Sequence, residues 1–408
     1  MPGTISPASG PPIRVVGVDA DGWAGLGEAA REDVLRAALV IGGRRHLAML
    51  PDVPGQRRES WPTPLREKLG ALLDSCGPGQ VVALASGDPL VSGIGTTLID
   101  LFGAHRVRIL PAVSSVAHAR AELRWPAESH GTVSVVGRDL SLVRRELAPG
   151  RRLLVLSSDE HTPAKVASLL VDAGYGASLL HVLGDLGGPA YTRIDATAAT
   201  WSAPAPRLNV IGCELAGPLL GGWVAGLPDD AFENDGQLTK RDLRAGALAR
   251  LAPTPGAHLW DVGAGAGSVG IEWMRAHPTC TADSVESDPE RAARITRNAH
   301  ALGVPGLRVF TGRAPGALGG LRAPDAIFVG GGATVPGVLD TCLAALGPGG
   351  RLVVHGVTLE TEQLLAAAYR DHGGELIRVG VETAAPIGSF TGWTPARTVT
   401  QWALTRGV

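Results

Sequence analysis

Long apolar runs and paired cysteines are missing from this chain of 408 residues. No stretch of about 18 or more apolar residues occurs, so no membrane-spanning helix is expected. Met1–Pro12 has neither a basic start nor an apolar run, so we expect no signal peptide. The cysteines form no Cys-x-x-Cys pair, which argues against a metal site and fits reduced thiols in the cytoplasm. They are Cys76, Cys213, Cys280 and Cys342.

Neither sign of charge is in excess, because 37 basic and 39 acidic residues give a formal net charge of -2. This balance does not support a nucleic-acid partner, which would favour a basic domain. Only Lys68, Lys165 and Lys240 are lysines, and the remaining basic residues are arginines, which suit bidentate binding of carboxylates.

The length predicts two domains, because the chain is too long for one typical hydrophobic core. Short apolar segments alternate with helix-like runs in both halves, which indicates α/β architecture. A stretch rich in Gly, Pro, Leu and Trp separates two such series. We therefore predict a first domain at 12–215, a linker at 216–233 and a second domain at 234–408. The predicted strands are Ile13–Val18, Val81–Ala85, Arg106–Leu110, Thr132–Val136, Leu153–Ser157, Leu208–Cys213, His258–Val262, Thr281–Glu286, Leu307–Thr311, Ala326–Val329 and Arg351–Val357; the helix-like runs include Arg31–Ala38, Leu65–Ser75 and Pro163–Ala173.

A glycine-rich motif in the second half predicts a cofactor site. The segment Asp261-Val-Gly-Ala-Gly-Ala-Gly267 follows an apolar strand and opens a helix-like run. Such a turn lets backbone approach a ligand closely and directs helix N–H groups at it. The carboxylate before the first glycine favours S-adenosylmethionine over a dinucleotide, and Glu286 ends the next strand, where it can accept both ribose hydroxyls. The candidate cofactor residues here are Asp261, Gly263, Ala264, Gly265, Ala266, Gly267, Glu286 and, in a loop expected to border the adenine, Ala314.

Three loop-like segments follow predicted strands in the first half. They are Val15-Val-Gly-Val-Asp-Ala-Asp-Gly22, Ala85-Ser-Gly-Asp-Pro-Leu90 and Pro111-Ala-Val-Ser-Ser115. Together and in this order they resemble the tetrapyrrole methylase family. The resemblance implies two α/β lobes with S-adenosylmethionine between them, held by backbone atoms of these loops. Carried over by position, the cofactor residues are Ser86, Gly87, Asp88, Val91, Ser114 and Ser115. The first loop departs from the family's Gly-x-Gly pattern, because Asp19 stands at the second glycine.

The order of the two halves narrows the resemblance further. A tetrapyrrole methylase half followed by a Rossmann-like class I methyltransferase half is similar to the decarboxylating precorrin C5,15-methyltransferase family of cobalamin biosynthesis. The segments Gln237-Leu-Thr-Lys-Arg-Asp242 and Pro386-Ile-Gly-Ser-Phe-Thr-Gly-Trp393 match that family, and Thr239 would touch the cofactor. The resemblance implies one S-adenosylmethionine per domain, C5 methylation in the first half, and C15 methylation with decarboxylation of the ring C acetate in the second. It also implies a homo-oligomer.

The expected methyl transfer and decarboxylation require few catalytic side chains. Methyl transfer from a sulfonium to an enamine-like carbon needs alignment more than a strong base, and afterwards a proton must leave. The substrate carries many carboxylates, so arginines are the candidate clamps. They are Arg44, Arg45 and Arg138 in the first half and Arg241 and Arg313 in the second. His46 and His355 are candidate acid–base groups, each weighed against a packed or solvated histidine, and Glu360 is interpreted as a helix-start charge.

Two other functions stay open at this level. Both folds also serve RNA and protein methyltransferases, against which the near-neutral charge counts. A non-catalytic S-adenosylmethionine-binding or assembly module is the second alternative, against which the intact glycine loops in both halves count.

Overall fold

The computed structural model describes residues 12–77 and 79–407. Residues 1–11, where no signal peptide is expected, and residue 408, the end of the predicted second domain, lie outside them. The chain forms two compact units. The first unit comprises the described residues up to Leu140 together with Pro149–Gly217, and the second comprises Ser141–Ala148 and the residues from Pro218 onward.

The first lobe of the first unit is a parallel sheet of five strands in the order β3-β2-β4-β1-β5. The central strands β1 and β4 are almost wholly buried, as expected for a sheet covered on both faces. The strands are β1 (Ile13–Val18), β2 (Leu39–Gly42), β3 (Arg57–Ser60), β4 (Val81–Ser86) and β5 (Val107–Leu110); the helices are α1 (Glu28–Arg36), α2 (Arg44–Ala48), α3 (Leu65–Asp74), α4 (Ile94–Phe102) and α5 (Ser115–Leu123).

The second lobe of the first unit is a mixed sheet in the order β6-β7-β10-β8-β9. Only β6 and β7 pair in parallel, and the remaining neighbours are antiparallel. Its elements are β6 (His130–Ser134), β7 (Arg152–Leu156), α6 (Thr162–Asp172), β8 (Leu179–Gly184), β9 (Thr192–Thr197) and β10 (Asn209–Glu214). The two sheets confirm the predicted two-lobed first half.

The second unit contains a sheet of seven strands in the order β13-β12-β11-β14-β15-β19-β16 and a separate hairpin, β17-β18. The sheet is parallel except for β19, which pairs antiparallel with both neighbours. Its elements are α7 (Arg241–Leu251), β11 (His258–Val262), α8 (Ser268–Ala276), β12 (Thr281–Glu286), α9 (Pro289–Ala301), β13 (Arg308–Thr311), β14 (Ala326–Val329), α10 (Val338–Ala345), β15 (Arg351–Gly356), α11 (Leu359–His372), β16 (Glu375–Val379), β17 (Glu382–Ile387), β18 (Phe390–Pro395) and β19 (Val399–Thr405).

This strand order fixes where a ligand can bind in the second unit. The chain runs outward from β11 through β12 to β13, then returns to the other side of β11 at β14. The helices that follow β11 and β14 therefore leave on opposite faces and open a crevice at the carboxyl ends of the strands. This is the Rossmann-like arrangement predicted for the second half.

The structure changes the predicted linker and one predicted helix. Leu227 and Phe232 fall within the predicted linker at 216–233, but their side chains are only 3% and 2% exposed in the core of the second unit. The last third of that stretch is therefore part of the packed unit. The helix predicted at Arg31–Ala38 begins and ends earlier, at Glu28–Arg36, because Ala37 and Ala38 lead directly into β2.

No helix among the described residues is long and apolar enough to cross a membrane. All four cysteines are free, and the described ranges contain no group of three or more His, Cys, Asp or Glu side chains arranged to hold a metal ion.

Candidate functional sites

A cavity of about 1070 Å³ opens at the carboxyl ends of the central strands of the second unit. Its wall includes the ends of β11 and β12, the loops after β13 and β14, and part of β15. The cavity is lined by most of the residues that the sequence predicted for this half: Thr239, Arg241, Gly263, Ala264, Gly265, Glu286, Arg313, Ala314 and His355. Asp261, Ala266 and Gly267 lie behind the wall and are buried.

The glycines of the turn after β11 are required by both conformation and space. Gly263, Gly265 and Gly267 all have positive φ, at 66°, 58° and 76°, which L side chains rarely adopt. A Cβ at Gly263 would lie 2.7 Å from the carbonyl oxygen of Gly331, and one at Gly265 would lie 2.6 Å from that of Gln237. The turn therefore brings three stretches of backbone together at the cavity wall.

Glu286 holds this turn in addition to facing the cavity. Its Oε2 accepts the N–H of Gly265 at 2.8 Å, and its Oε1 accepts the N–H of Asp288 at 3.0 Å. Each carboxylate oxygen retains acceptor capacity, so the side chain can still accept ribose hydroxyls. The sequence predicted the acceptor role and missed the structural one.

Asp261 is buried beneath the turn and is 1% exposed. Its Oδ2 accepts the N–H of Gly270 at 3.0 Å, while Oδ1 is buried without a hydrogen-bond partner among the described residues. Burial raises the pKa of Asp261 to about 7; the Gly270 hydrogen bond opposes this shift and the charge of Glu286 adds to it. A direct contact between Asp261 and a cofactor stays a prediction, because the carboxylate is behind the cavity wall.

A segment that we call the strap (residues 226–239) forms another side of the cavity. The strap is anchored by the ion pair of Arg244 and Glu272, whose side chains are 0% and 2% exposed, with Nε and Oε1 2.7 Å apart. Glu272 accepts the backbone N–H groups of Gly226 and Leu227 at 2.6 and 2.9 Å. Arg244 in turn donates to the carbonyl oxygens of Leu227 and Thr239 and stacks on Phe232.

Asn298 connects the strap to the glycine turn. Its side-chain amide donates to the carbonyl oxygens of Glu233 and Ala266 at 2.9 and 3.0 Å, and its oxygen accepts the N–H of Glu233 at 2.9 Å. One buried side chain therefore sets the distance between two walls of the cavity.

Three exposed arginines line this cavity without an ion pair or side-chain hydrogen bond among the described residues. They are Arg241, Arg313 and Arg397. Arg291 also lines it, but its Nε is paired with Asp235 at 2.8 Å. Unpaired guanidinium groups around an open recess suit a ligand with several carboxylates. The sequence indicated Arg241 and Arg313, whereas Arg397 carries no signal of its own before the fold places it here.

His355 lies on β15 and is 9% exposed. Its Nε2 lies 2.9 Å from Oε1 of Gln401, its cross-strand neighbour, and its ring meets Phe328 edge-on. Burial lowers the pKa of His355, the hydrogen bond with Gln401 raises it, and the charge of Arg250 lowers it further. With Oε1 of Gln401 as the acceptor, Nε2 carries a proton. Burial favours the neutral ring, in which Nδ1 holds the lone pair, and Nδ1 has no hydrogen bond among the described residues. Glu360, in contrast, lies in the first turn of α11, as expected for a helix-start charge.

A second cavity, of about 510 Å³, lies between the two lobes of the first unit. The loops after β1, β4 and β5 border this cavity, and Gly17, near the end of β1, packs against the other two loops. A Cβ on this residue would lie 2.5 Å from the carbonyl oxygen of Gly87 and 2.8 Å from the Cβ of Ala112. Gly17 therefore permits the contact of the three loops that carried the family resemblance.

Of the cofactor residues predicted in the first half, some line the cavity and others stabilise the loops around it. Ser86, Gly87, Val91 and Ser115 line the cavity. Asp88 and Ser114 instead stabilise its loops: Asp88 accepts the N–H of Leu90 at 2.8 Å, and Ser114 caps α5 by accepting the N–H of Ala117 at 3.1 Å.

Only one of the three arginines predicted in the first half lies on the cavity wall. Arg45 lines it, whereas Arg44 and Arg138 are exposed elsewhere and do not. Of the three candidate substrate arginines of the first half, Arg44 and Arg138 are therefore not at this cavity. His46 lines it too, but burial and then the charge of Arg45 lower its pKa to about 4, so it is a poor proton acceptor at neutral pH.

Asp19 and His118 form a pair in the same wall. Oδ2 of Asp19 lies 2.8 Å from Nε2 of His118, and its Oδ1 accepts the N–H of Ala20 at 2.8 Å. The two residues are 99 positions apart. The sequence marked Asp19 as a departure but gave no sign of its partner.

We expect Arg244→Met to destabilise the second unit by about 3–5 kcal/mol, because Glu272 would be left as a buried, unpaired charge. The matched control is Arg250→Met, which removes a pair with Glu375 whose side chains are 29% and 52% exposed. That change should cost less than about 1 kcal/mol. Urea unfolding monitored by tryptophan fluorescence measures both, and equal losses would contradict the role given to the buried pair.

The raised pKa of Asp261 predicts a pH-dependent stability. Because the folded state holds the proton more tightly than the unfolded state, ionisation of the unfolded chain destabilises the fold as pH rises from about 4 to about 7. The free energy of unfolding of the wild type, measured relative to Asp261→Asn, should therefore fall across that range. A pH-independent difference would mean that folding does not raise the pKa of Asp261.

Comparison with known protein families covers almost the whole chain. Residues 13–199 match the model of the tetrapyrrole (corrin/porphyrin) methylases, and residues 230–406 match that of the precorrin methyltransferase domain. A precorrin-6Y C(5,15)-methyltransferase [decarboxylating] of Sinorhizobium sp is 45% identical over 401 residues, which are 97% of each chain.

Two shorter relatives, both from Salmonella typhimurium, each match less than half of this chain. A cobalt-precorrin-7 C(5)-methyltransferase is 34% identical over 42% of this chain and 84% of its own. A cobalt-precorrin-6B C(15)-methyltransferase (decarboxylating) is 31% identical over 37% of this chain and 80% of its own. With the full-length relative, these matches place the chain in a family: it belongs to the decarboxylating precorrin-6Y C(5,15)-methyltransferases.

Proposed function

We propose that this chain methylates precorrin-6B (precorrin-6Y) at C5 and C15 and removes the ring C acetate carboxyl as carbon dioxide, which gives precorrin-8X in cobalamin biosynthesis. The observation that carries the proposal is the presence of two separate cavities, each built from the loops expected to hold S-adenosylmethionine. Two such sites in one chain fit two methyl transfers to one substrate.

We assign C5 methylation to the first unit and C15 methylation with decarboxylation to the second. Two observations support the division. The tetrapyrrole methylase model matches only the first half. In addition, relatives named for the single activities each align with less than half of this chain.

The residues of both cavities fit S-adenosylmethionine, which supplies a methyl group activated by its sulfonium charge when bound. In the second unit, Gly263 and Gly265 leave a recess that a Cβ would fill, and Glu286 offers acceptors for the ribose. In the first unit, Ser86, Gly87 and the start of α5 at Ser115 offer backbone and hydroxyl groups. We therefore propose one cofactor in each unit.

The side chains of the second unit supply what the remaining chemistry needs. Arg241, Arg313 and Arg397 bind substrate carboxylates and set the ring over the site. Alignment of the reacting atoms can contribute up to about 7–11 kcal/mol in well-oriented cases. Nδ1 of His355, which has no hydrogen bond among the described residues, accepts the proton released after C15 has taken its methyl group. Loss of carbon dioxide needs no further base, because the electron pair of the broken C–C bond enters the conjugated ring. The side-chain CH2 carbon then takes up a proton, which draws that electron pair back into a new C–H bond and leaves a methyl group on ring C.

We also propose that the chain self-associates and resides in the cytoplasm without a nucleic-acid partner. The hairpin β17-β18 stands apart from the main sheet and exposes Ile387, Phe390 and Trp393 by 60%, 79% and 69%. A cluster of this kind is typical of interaction surfaces. In analytical ultracentrifugation, Phe390→Ser should sediment as a smaller species than the wild type. A wild type that sediments with the mass of one chain would refute self-association. The free cysteines support a reducing compartment.

Incubation of the purified chain with precorrin-6B and S-adenosylmethionine should give a product with two added methyl groups and one carbon dioxide fewer by mass spectrometry. A heat-denatured sample is the control. The absence of methyl transfer under conditions where both cavities bind S-adenosylhomocysteine would contradict the proposed function.

Calorimetric titration with S-adenosylhomocysteine should find two sites on the wild type and one on either of two variants. Gly265→Arg places a side chain against the strap backbone and should remove the second unit's site. Gly17→Val places one against Gly87 and Ala112 and should remove the first unit's site. The double variant should bind none, and a single site on the wild type would show that only one unit holds the cofactor.

A further inference from the structure

The Asp19–His118 pair lies in the first unit's cavity and has no part in the functions assigned so far. Both side chains line the cavity and are partly exposed, at 28% and 26%. They come from two of the elements that carry the cofactor loops: Asp19 follows β1, and His118 lies one turn after Ser115 in α5.

The surrounding backbone fixes the geometry of the pair. Because Oδ1 of Asp19 accepts the N–H of Ala20, the carboxylate cannot rotate freely. Gly187 approaches from the second lobe, and a Cβ there would lie 3.0 Å from Nε2 of His118 and 3.2 Å from Oδ1 of Asp19. The pair is therefore held between loops of both lobes.

This geometry selects one form of the imidazole. A carboxylate next to Nε2 accepts a hydrogen bond, so Nε2 carries a proton, and in the neutral ring Nδ1 carries the lone pair. Nδ1 has no hydrogen-bond partner among the described residues. The carboxylate also stabilises the imidazolium that forms when Nδ1 takes a second proton.

The other charged and titratable groups of this cavity are less suited to accept a proton. His46 of α2 has its pKa lowered to about 4 by burial and by Arg45 beside it. Arg45 and Arg207 carry permanent positive charge. Asp185, after β8, is the remaining carboxylate on the wall and, within the described part of the chain, forms no hydrogen bond or ion pair with a histidine.

We propose that His118 is the proton acceptor of the methylation carried out in the first unit, and that Asp19 is its positioning residue. This inference rests on the proposed function. Once C5 has accepted the methyl group, it bears both that group and its original hydrogen, and the ring carries the positive charge that sulfur has lost. Transfer of the hydrogen as a proton to Nδ1 breaks the C5–H bond and returns its electron pair to the ring. The ring becomes neutral and the imidazolium lies against Asp19.

The test follows both methylations of precorrin-6B by mass spectrometry in the full chain. In His118→Gln the rate of C5 methylation should fall about 100-fold, which is within the usual contribution of a general base. When C15 methylation comes before C5 methylation, this variant should accumulate a product with one added methyl group and one carbon dioxide fewer. His161→Gln, whose side chain is 72% exposed in the same unit, is the matched control and should match the wild type.

Two further measurements separate proton transfer from a structural role. The C5 rate of the wild type should fall as pH is lowered and the imidazole is protonated, whereas that of His118→Gln should lose this limb. Added imidazole should partly restore His118→Ala, and Asp19→Asn should lower kcat of the C5 step while S-adenosylhomocysteine still binds at two sites.

The outcomes are distinct. Two methylations by His118→Gln at the wild-type rate and pH profile would overturn the assignment and leave the proposed function intact. Loss of C5 methylation without imidazole rescue and with one cofactor site missing would also overturn it, because His118 would then be structural. If the wild type adds no methyl group to the substrate, the proposed function fails and the inference fails with it.

Discussion

The buried ion pair of Arg244 and Glu272 is the constraint on which the second unit's site depends. An isolated charge in this position would be costly, but each partner also satisfies backbone groups that have no other means of pairing. Glu272 holds the start of the strap and Arg244 holds its end at Thr239. The pair thereby holds in place a stretch whose secondary structure is limited to the 3-10 turn Asp229–Ala231, and this stretch meets the glycine turn at Gly265.

Both cavities follow the same physical plan. Their walls are mainly loop backbone brought together at a residue without a side chain, Gly17 in the first unit and Gly265 in the second. Charged residues mostly hold these loops in place, as Glu286 and Asp88 do. The plan suits a reaction whose electrophile arrives already activated, since shape and alignment matter more than strong acids or bases. One histidine in each cavity, His355 in the second unit and His118 in the first, has one ring nitrogen fixed by a neighbour.

The hydrophobic and turn patterns of the sequence predicted those strands whose limits are set by residues close together in the chain. Strands β1, β11, β12 and β14 were predicted with their observed limits. Strands β1, β11 and β14 are short, mainly apolar runs, whereas β12 was predicted because Val285 and Glu286 follow the glycine turn at the spacing of a next strand. Strands such as β2 and β19 were not: β2 directly follows α1, and β19 includes Thr400 and Gln401, polar residues that are nevertheless buried. Their burial depends on neighbours that are distant in the chain.

The same division applies to the sites. The glycines and Glu286 were predicted because a strand, turn and helix in register leave a local signature. Three other features could not be predicted, because each depends on tertiary contacts between separate segments. They are the pairing of Asp19 with His118, the anchoring of the strap by Arg244 and the position of Arg397 at the cavity. Arg44 and Arg138 were candidates for the first unit's site on sequence grounds, but the fold places them outside its cavity.

The position of β19 has a consequence for how the second unit is made in the cell. This strand lies between β15 and β16 and pairs with both, yet it is the last strand of the sheet to be synthesised. While the ribosome is still extending the chain, β16 has no neighbour, and His355 lacks the Gln401 that fixes its ring. The second unit can therefore complete its sheet only after β19 has emerged, whereas every strand of the first unit is available earlier. The sheets of the first unit can therefore be complete before that of the second unit.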